Sequence, residues 1–507
     1  MLSLKMIRLR VLSKNNILPV AISIVLVMSL IFLVFAGNFD INEGWYGNDM
    51  FLIAQGESPY LSFYYHRLPF FIEIYSYIAN IFGMNIYSIR LISFFFTISF
   101  VSLTYFFVRK NDSRFLALLT ILIYLSIFSS LKTYVTMQTY ALTALMLQSI
   151  LVVLALKNIN EYLRLSLLVV VVSCIQWMRY PVDYLSIALL CYLVVYHRKD
   201  TSKLLFSIVL YLVINILLFY YYKSDNFIFS VFSGMVQDNP ITLKSYLLYK
   251  INWFTFPATN YTLLLIVGGT LTGAVLVKYK YQAIIKHILS IKWLFMALLL
   301  IFGNAIMYIL APDGHPVQML YVIPILICVY AHVTHKLFNV KKIPTILFIF
   351  LPVFVVSTLS AERDFKFQIK NSEINQYNNL GKIVNTLTDE NDEILAFNPI
   401  YGLVSNRRIT KGFEFDLYGI KSKLNTNLVR KYGLNNKENI MLSISNRVPR
   451  LIILDSRFYS VEGMGQKLLG MREDIIAAVS QNYNQIDYEN KSSVNEILGE
   501  VNIYVRD

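Results

Sequence analysis

Four carboxylates lie close together in the segment that follows the first apolar run of the chain. Asp40, Glu43, Asp49 and Glu57 fall within 18 residues and alternate with aromatic side chains. A carboxylate at the mouth of a membrane cavity can act as a general base on the hydroxyl of an acceptor. The same acids also fit the solvated face of an ordinary amphipathic helix. The pattern therefore permits general-base chemistry without requiring it.

A second group of candidate residues is basic. His66 and Arg67 follow three consecutive aromatic residues, and Lys132 lies at the tip between two later apolar runs. Arg179 lies at another such tip, where it could bind phosphate or pair with Asp183. Cations of this kind stabilise a departing phosphate group. An aromatic belt at the membrane surface, with an arginine reaching toward water, is the other explanation of His66 and Arg67.

These residues are separated by apolar segments that predict membrane spans. The chain has 507 residues, of which 56% are hydrophobic and only 15% charged, against about 25% charged in ordinary soluble proteins. A mean hydropathy of +0.54 and the recurrent apolar runs predict a multi-pass α-helical membrane protein. We place about eleven spans, near residues 17–36, 91–108, 115–131, 139–156, 165–178, 184–196, 204–222, 262–277, 293–310, 317–334 and 343–360.

The long connection 37–90 contains two further helical patterns. The apolar side chains between Trp45 and Ile53 predict a helix that lies in the membrane interface and ends at Gly56. A second apolar stretch covers 70–82. This connection holds most of the candidate residues, so we expect the chemistry to lie there.

The charge distribution predicts the orientation of the chain. Residues 361–507 contain 19 basic and 19 acidic residues, so the net charge of +14 comes entirely from 1–360. With a cytoplasmic N-terminus, the cytoplasmic segments carry 19 basic residues and three acids, and the opposite side carries seven and nine. This asymmetry follows the positive-inside rule and explains the basic charge without nucleic acid. An odd number of spans then places 361–507 outside the cell membrane.

The composition changes after residue 360 and predicts a small extracytoplasmic α/β domain. This part of the chain is long enough to bury a core of its own. Helical and strand-like patterns alternate along it. The predicted elements are a helix at 374–387, strands at Glu393–Phe397, Arg450–Leu454 and Val501–Val505, and a helix near 464–480.

The opening of the chain resembles a known family. The first apolar run is followed by Asn-Glu-Gly-Trp-Tyr at 42–46 and Gly-Glu-Ser-Pro-Tyr at 56–60, then by an aromatic run with His and Pro, and by Ser-Ile-Arg-Leu-Ile-Ser at 88–93. Across 17–95 this pattern resembles the GT-C membrane glycosyltransferases, and more narrowly the protein mannosyltransferase and aminoarabinose transferase relatives. The resemblance implies transfer of a sugar from a polyprenyl-phosphate carrier to a lipid, glycan or protein acceptor on the outer face of the membrane.

The resemblance also implies roles for particular residues. The family has a catalytic Asp where this chain has Asn42, and an amide cannot act as a base. Either Asp40 or Glu43 is therefore expected to be catalytic, or the chemistry has been lost. Arg90 matches an arginine of the family and is expected to have a structural role at the lipid interface. The residues expected to bind the donor phosphate or sugar are His66, Arg67, Lys132, Arg179, His315 and Tyr321.

Other functions fit parts of the sequence. A polysaccharide polymerase or ligase shares the many spans, but its principal loop would lie later in the chain. A lipid or sugar transporter often shows repeated halves, which this sequence lacks, and Asn42 also permits a surface scaffold without activity. We expect no cofactor and no metal, because the three cysteines lie inside apolar runs and no metal-ligand spacing occurs. The expected partners are the lipid-linked donor, membrane lipids and the external acceptor, and not nucleic acid.

Overall fold

The structure is a computed structural model. The structure describes residues 17–36, 39, 41–126, 128–178, 184–233, 281–310, 320–338, 373–414, 419–421, 424–460, 468 and 470–506. The spans predicted near 262–277 and 343–360 lie outside these residues.

The regular elements described between residues 17 and 338 are helices. The first seven are α1 (Ile17–Ala36), α2 (Ile41–Ala54), α3 (Phe70–Phe82), α4 (Ile86–Asn111), α5 (Arg114–Ser126), α6 (Phe128–Val135) and α7 (Tyr140–Ala155). They are followed by α8 (Glu161–Met178), α9 (Tyr184–His197), α10 (Thr201–Tyr222), α11 (Asp225–Ile228) with a π-helical turn (Phe229–Ser233), α12 (Tyr281–Ser290), α13 (Lys292–Leu310) and α14 (Ile323–Phe338).

Several of these helices have the length and composition of membrane spans. Among the described residues, α4, α8 and α10 are each long and apolar enough to cross a membrane. The pair α12 and α13 meets the same criteria together, although its two parts are bent by 106°. Six shorter apolar helices lie within α1, α3, α5, α7, α9 and α14. These helices agree with a membrane protein, while the number of about eleven spans and their orientation stay predictions.

Local sequence sets the starts of the two longest helices. At the start of α4, the Ser88 N–H donates to the Asn85 side chain at 3.0 Å, and at the start of α10 the Lys203 N–H donates to Asp200 at 3.2 Å. Such caps satisfy N–H groups that the first helical turn leaves unpaired. Large apolar side chains of α10 point away from the described protein, and soluble proteins rarely expose so large a patch. This exposed apolar face, which is suited to contact with lipid, contains Leu205, Val209, Leu212, Val213, Ile216, Leu217 and Tyr220.

The C-terminal unit, residues 373–506, is a five-stranded sheet with helices. Its helices are α15 (Glu373–Leu387), α16 (Ile400–Ser405), α17 (Thr426–Tyr432), α18 (Lys437–Ser445), α19 (Ser456–Tyr459), α20 (Arg472–Asn482) and α21 (Lys491–Leu498). Its strands are β1 (Glu393–Ala396), β2 (Arg408–Ile409), β3 (Leu451–Leu454), β4 (Asn484–Ile486) and β5 (Asn502–Val505), in the order β2-β1-β3-β5-β4. Strand β1 is parallel to β2 and β3, whereas β5 is antiparallel to β3 and β4.

The predicted strands form the three central strands of this sheet. β1, β3 and β5 are adjacent, and Ile453 pairs with both Ala396 and Ile503 across the strands. The predicted helix at 374–387 is α15. The segment predicted as a helix near 464–480 is helical from Arg472 to Asn482 in its described part. The sequence does not predict the edge strands, because β2 has only two residues and β4 is mostly polar.

The helix predicted to lie in the membrane interface is instead buried inside the protein. In α2, Trp45 and Tyr46 are each 2% exposed and Met50 is 0% exposed. A Cβ atom added to Gly44 would lie 2.8 Å from Asn398 Oδ1 of the C-terminal unit. The C-terminal unit therefore packs directly on α2. The prediction was wrong because an amphipathic pattern does not reveal which part of the chain covers the helix.

Close packing inside the C-terminal unit gives a first testable prediction. A Cβ atom at Gly381 in α15 would overlap the backbone carbonyl of Val404 in α16. We expect Gly381→Ala to destabilise the protein by about 1–3 kcal/mol, the usual cost of overpacking, measured as a lower melting temperature of the purified protein. The matched control is Gly470→Ala, whose Cβ would meet no described atom within 4 Å. Equal melting temperatures of the two variants would contradict the prediction.

Candidate active site

Glu43, one of the two predicted catalytic residues, is held in a buried ion pair. Arg90 Nε donates to Glu43 Oε1 at 2.8 Å, and Arg90 Nη2 pairs with Oε2. The backbone N–H of Met137 also donates to Oε1, at 2.9 Å. Glu43 is 0% exposed and Arg90 is 1% exposed. Because both carboxylate oxygens are engaged, the geometry opposes a role for Glu43 as the base and favours a structural role. Arg90 is buried inside the protein and not at the lipid interface where it was expected.

Lys132 and Glu373 lie close to this ion pair. The backbone N–H of Phe39 donates to Glu373 Oε2 at 3.0 Å, so the first helix of the C-terminal unit reaches the start of α2. Burial raises the pKa of the Glu373 carboxyl, and the positive charges of Lys132 and Arg90 oppose that rise. The structure thus brings two predicted site residues, Lys132 and Glu43, into one charged cluster.

Tyr321 contacts the segment that joins α6 and α7. Its hydroxyl lies 3.2 Å from Thr139 Oγ1. Thr139 is two residues from Met137, whose N–H binds Glu43. One short segment therefore connects the predicted residue Tyr321 to the buried ion pair at the start of α2.

His66 and Arg67 lie over the aromatic side chains of α2. Arg67 Nε donates to His66 Nε2 at 3.0 Å. The Arg67 guanidinium is 5.4 Å from the ring centroid of Trp45 and 5.8 Å from that of Tyr46, and these two rings stack at 3.9 Å. A guanidinium that lies over aromatic rings keeps several N–H donors for other groups. The arrangement is suited to binding a phosphate.

A strained turn at Tyr60 precedes His66 and Arg67 and helps to position them over α2. Tyr60 has a φ angle of 67°, which few residues other than glycine adopt. Its N–H donates to the Phe63 carbonyl at 3.0 Å, and its hydroxyl donates to the Arg67 carbonyl. Strain of this kind costs on the order of 1–3 kcal/mol and persists where surrounding contacts enforce it. These contacts fix the position of Arg67.

Asp49 is a buried carboxylate that the sequence did not mark as catalytic. It is 0% exposed, and neither of its carboxylate oxygens accepts a hydrogen bond from any group that the structure describes. Burial raises the pKa of Asp49 well above its ordinary value, and the neighbouring carboxyl of Glu414 raises it further. The available signal was its helical spacing from Trp45 and Tyr46, but its burial depends on the distant C-terminal unit.

The second buried carboxyl, Glu414, gives a pH-dependent prediction. Burial raises its pKa from 4.5 to about 8. The folded protein then holds a proton that the unfolded chain has released, so stability falls as the pH rises from about 4.5 to about 8, by at most about 1.4 kcal/mol per pH unit. We expect Glu414→Gln to flatten this decline in melting temperature. A decline of unchanged slope in the variant would show that another group is responsible.

Three predicted site residues, Asp40, Arg179 and His315, lie outside the described residues. Their roles stay predictions. Within the described ranges, no group of three or more His, Cys, Asp or Glu side chains is arranged to hold a metal ion.

The fold is shared with a protein of known structure. The crystal structure of ArnT from Cupriavidus metallidurans in the apo state matches with a TM-score of 0.65 and 10% identity, covering 97% of this chain and 98% of that one. The structure of the same protein bound to undecaprenyl phosphate matches with a TM-score of 0.62 and 9% identity, over 96% and 97% of the two chains. No protein-family model and no curated protein sequence matches the chain. The likeness shows that this chain shares the fold of ArnT, in agreement with the family resemblance of the sequence.

Proposed function

We propose that this protein is a membrane glycosyltransferase that moves a sugar from a polyprenyl-phosphate carrier to an acceptor hydroxyl. The observation that carries the proposal is the fold shared with ArnT over 97% of the chain. One of the matching ArnT structures holds undecaprenyl phosphate, which supports a lipid-phosphate donor here. The site around α2 supplies the charged and aromatic groups that such a reaction needs.

The donor phosphate is proposed to bind at Arg67 and His66. Arg67 is positioned by its cation–π contact with Trp45 of α2 and by its hydrogen bond to His66. Planar guanidinium groups bind phosphate oxygens with two parallel hydrogen bonds. Lys132 and Tyr321 lie near the other end of the site, and Arg179 and His315 are proposed to add further donor contacts.

The reaction itself is a displacement at the anomeric carbon of the sugar. The acceptor oxygen forms a bond to that carbon while the bond to the carrier phosphate breaks. A single displacement inverts the configuration, as the family resemblance implies. The carrier leaves as a lipid phosphate, whose developing charge the nearby cations stabilise. The chemistry therefore needs a base for the acceptor and cations for the leaving group, and both kinds of residue are present.

The acceptor is proposed to be a lipid, glycan or protein on the outer face of the cell membrane. This placement rests on the predicted orientation, in which the C-terminal unit is extracytoplasmic. A surface-polysaccharide polymerase or ligase would use the same bond exchange with a glycan acceptor. The transfer assay with added lipids or glycans distinguishes among these acceptors.

Turnover in sealed vesicles tests the proposed function. The full-length protein is reconstituted into liposomes with a panel of undecaprenyl-phosphate sugars labelled in the sugar. We expect at least one donor to lose its label and to yield undecaprenyl phosphate, more rapidly when membrane lipids or glycans are supplied as acceptors. Translocation of intact donor across the bilayer, without loss of label, would instead indicate a transporter.

A further inference from the structure

We propose that Asp49 is the carboxylate that takes the proton of the attacking acceptor hydroxyl. The proposal rests on the glycosyltransferase function proposed above. It moves the base two helical turns along α2 from Asn42, the position where the family resemblance places it.

The position of Asp49 on α2 is the first argument. Asn42 and Asp49 are seven residues apart, so they lie on nearly the same face of the helix, separated by about 10 Å along its axis. Tyr46 and Trp45 precede Asp49 by three and four residues and are therefore its neighbours on the helix surface. Those two rings carry the Arg67 guanidinium. Asp49 thus lies beside the proposed phosphate site.

The hydrogen bonding of Asp49 distinguishes it from the other acids of this region. Within the described residues 41–90, Glu43 pairs with Arg90, Glu57 pairs with Arg408, and Glu73 accepts from the Tyr222 hydroxyl. Asp49 accepts no hydrogen bond from a described group, although it is 0% exposed. Buried polar groups in native proteins are almost always bonded. We therefore assign the hydrogen bond that Asp49 lacks among the described residues to a partner that arrives with the substrate.

The surroundings of Asp49 are suited to a hydroxyl-bearing ligand. The hydroxyls of Tyr46 and Tyr65 are also buried and lack a hydrogen-bond partner in the part of the chain that is described. Tyr65 lies within electrostatic range of both Asp49 and Arg67. The carboxylate, the two phenols and the guanidinium therefore form one group, with acceptors for a sugar hydroxyl and a cation for phosphate.

The proposed step balances without any other reagent. The O–H bond of the acceptor breaks and its proton passes to an Asp49 oxygen. The acceptor oxygen forms a bond to the anomeric carbon, and the bond from that carbon to the carrier phosphate breaks with its electron pair. The lipid phosphate leaves beside Arg67. The raised pKa of Asp49 suits this role, because a stronger base accepts the proton more readily.

The C-terminal unit packs on α2 beside Asp49. Asn48 Nδ2 lies 3.5 Å from the Glu414 carbonyl, and a Cβ atom at Gly402 would lie 2.9 Å from Ile409 and overlap Asn48. Tyr60 and Tyr65 interact electrostatically with Asp49. Lys411 and Glu393 interact electrostatically with its neighbour Glu414.

The test compares Asp49→Asn with a matched control in the reconstituted full-length protein. Asp225→Asn is the control, because Asp225 is an exposed aspartate at the start of α11. We expect Asp49→Asn to slow sugar transfer at least 100-fold, since general-base catalysis contributes 10²–10⁴-fold. The melting temperature should not fall, because the Asp49 carboxyl makes no hydrogen bond to a described group that the amide would lose. Asp225→Asn should transfer at the wild-type rate.

The pH dependence of kcat separates catalysis from a structural role. Glu414→Gln removes the neighbouring carboxyl, which raises the pKa of Asp49, so the acidic limb of the pH–kcat profile should move to lower pH. If Asp49→Asn transfers sugar at more than a tenth of the wild-type rate, the inference about Asp49 is wrong and the transferase function stands. If it loses activity only together with its melting temperature, Asp49 is structural. If wild-type protein consumes no donor, both the proposed function and this inference fail.

Discussion

Replacing Arg90 by methionine is expected to cause the largest loss of stability. The substitution removes the guanidinium that pairs with both oxygens of the Glu43 carboxylate, which is 0% exposed. Breaking a buried pair on one side typically costs about 3–5 kcal/mol, because the remaining charge is not compensated. The effect is also expected to loosen α2 from α4 and from Met137. The melting temperature of the detergent-purified protein measures it.

Two further variants establish that the buried pair is the cause. The double variant Glu43→Gln with Arg90→Met removes both charges and should recover part of the lost stability. Arg408→Met breaks the ion pair between Arg408 and Glu57. The Arg408 side chain is 49% exposed, so the free energy of unfolding should fall by no more than about 1 kcal/mol. A loss in Arg90→Met no greater than in Arg408→Met would show that the buried pair does not stabilise α2.

Replacing Arg67 by alanine is expected to cause the largest loss of activity outside Asp49. The guanidinium lies over the rings of Trp45 and Tyr46 and is proposed to bind the leaving phosphate. Removing one group that stabilises transition-state charge typically lowers kcat by about 10²–10³-fold. We expect a loss of this size in transfer from the polyprenyl-phosphate donor. The protein should stay folded, because Arg67 is only half-buried.

The controls for Arg67 address charge, geometry and general damage. Arg67→Lys keeps the charge but loses the planar fork, so it should recover only part of the activity. Arg430→Ala changes an exposed arginine of α17 and should leave transfer unchanged. Full activity in Arg67→Ala would place the phosphate elsewhere, and equal activity of the lysine and alanine variants would exclude a charge effect.

Much of the fold could be predicted because it is encoded locally. The apolar runs coincide with helices such as α4 and α10, and the strand-like runs coincide with β1, β3 and β5. These elements are set by side-chain periodicity over a few residues. The two-residue strand β2 could not be predicted, because its pairing with β1 depends on the sheet that surrounds it.

The candidate site was predicted only in part, because its decisive contacts are long-range. The phosphate-binding candidates His66 and Arg67 are adjacent in sequence, and their chemistry is visible there. The pair of Glu43 and Arg90 joins residues 47 positions apart, so the sequence left Glu43 as a candidate base. The burial of Asp49 depends on Glu414 and the rest of the C-terminal unit, more than 350 residues away.

Photochemical labelling tests most directly the claim that the face of α2 beside Arg67 takes a lipid-linked sugar. The reconstituted wild-type protein is irradiated with an undecaprenyl-phosphate sugar that carries a diazirine on the sugar, and the labelled peptides are identified by mass spectrometry. We predict labelling within residues 41–67, abolished by excess undecaprenyl phosphate and strongly reduced in Arg67→Ala. Labelling confined to other segments, or labelling of 41–67 that undecaprenyl phosphate does not compete away, would contradict this account.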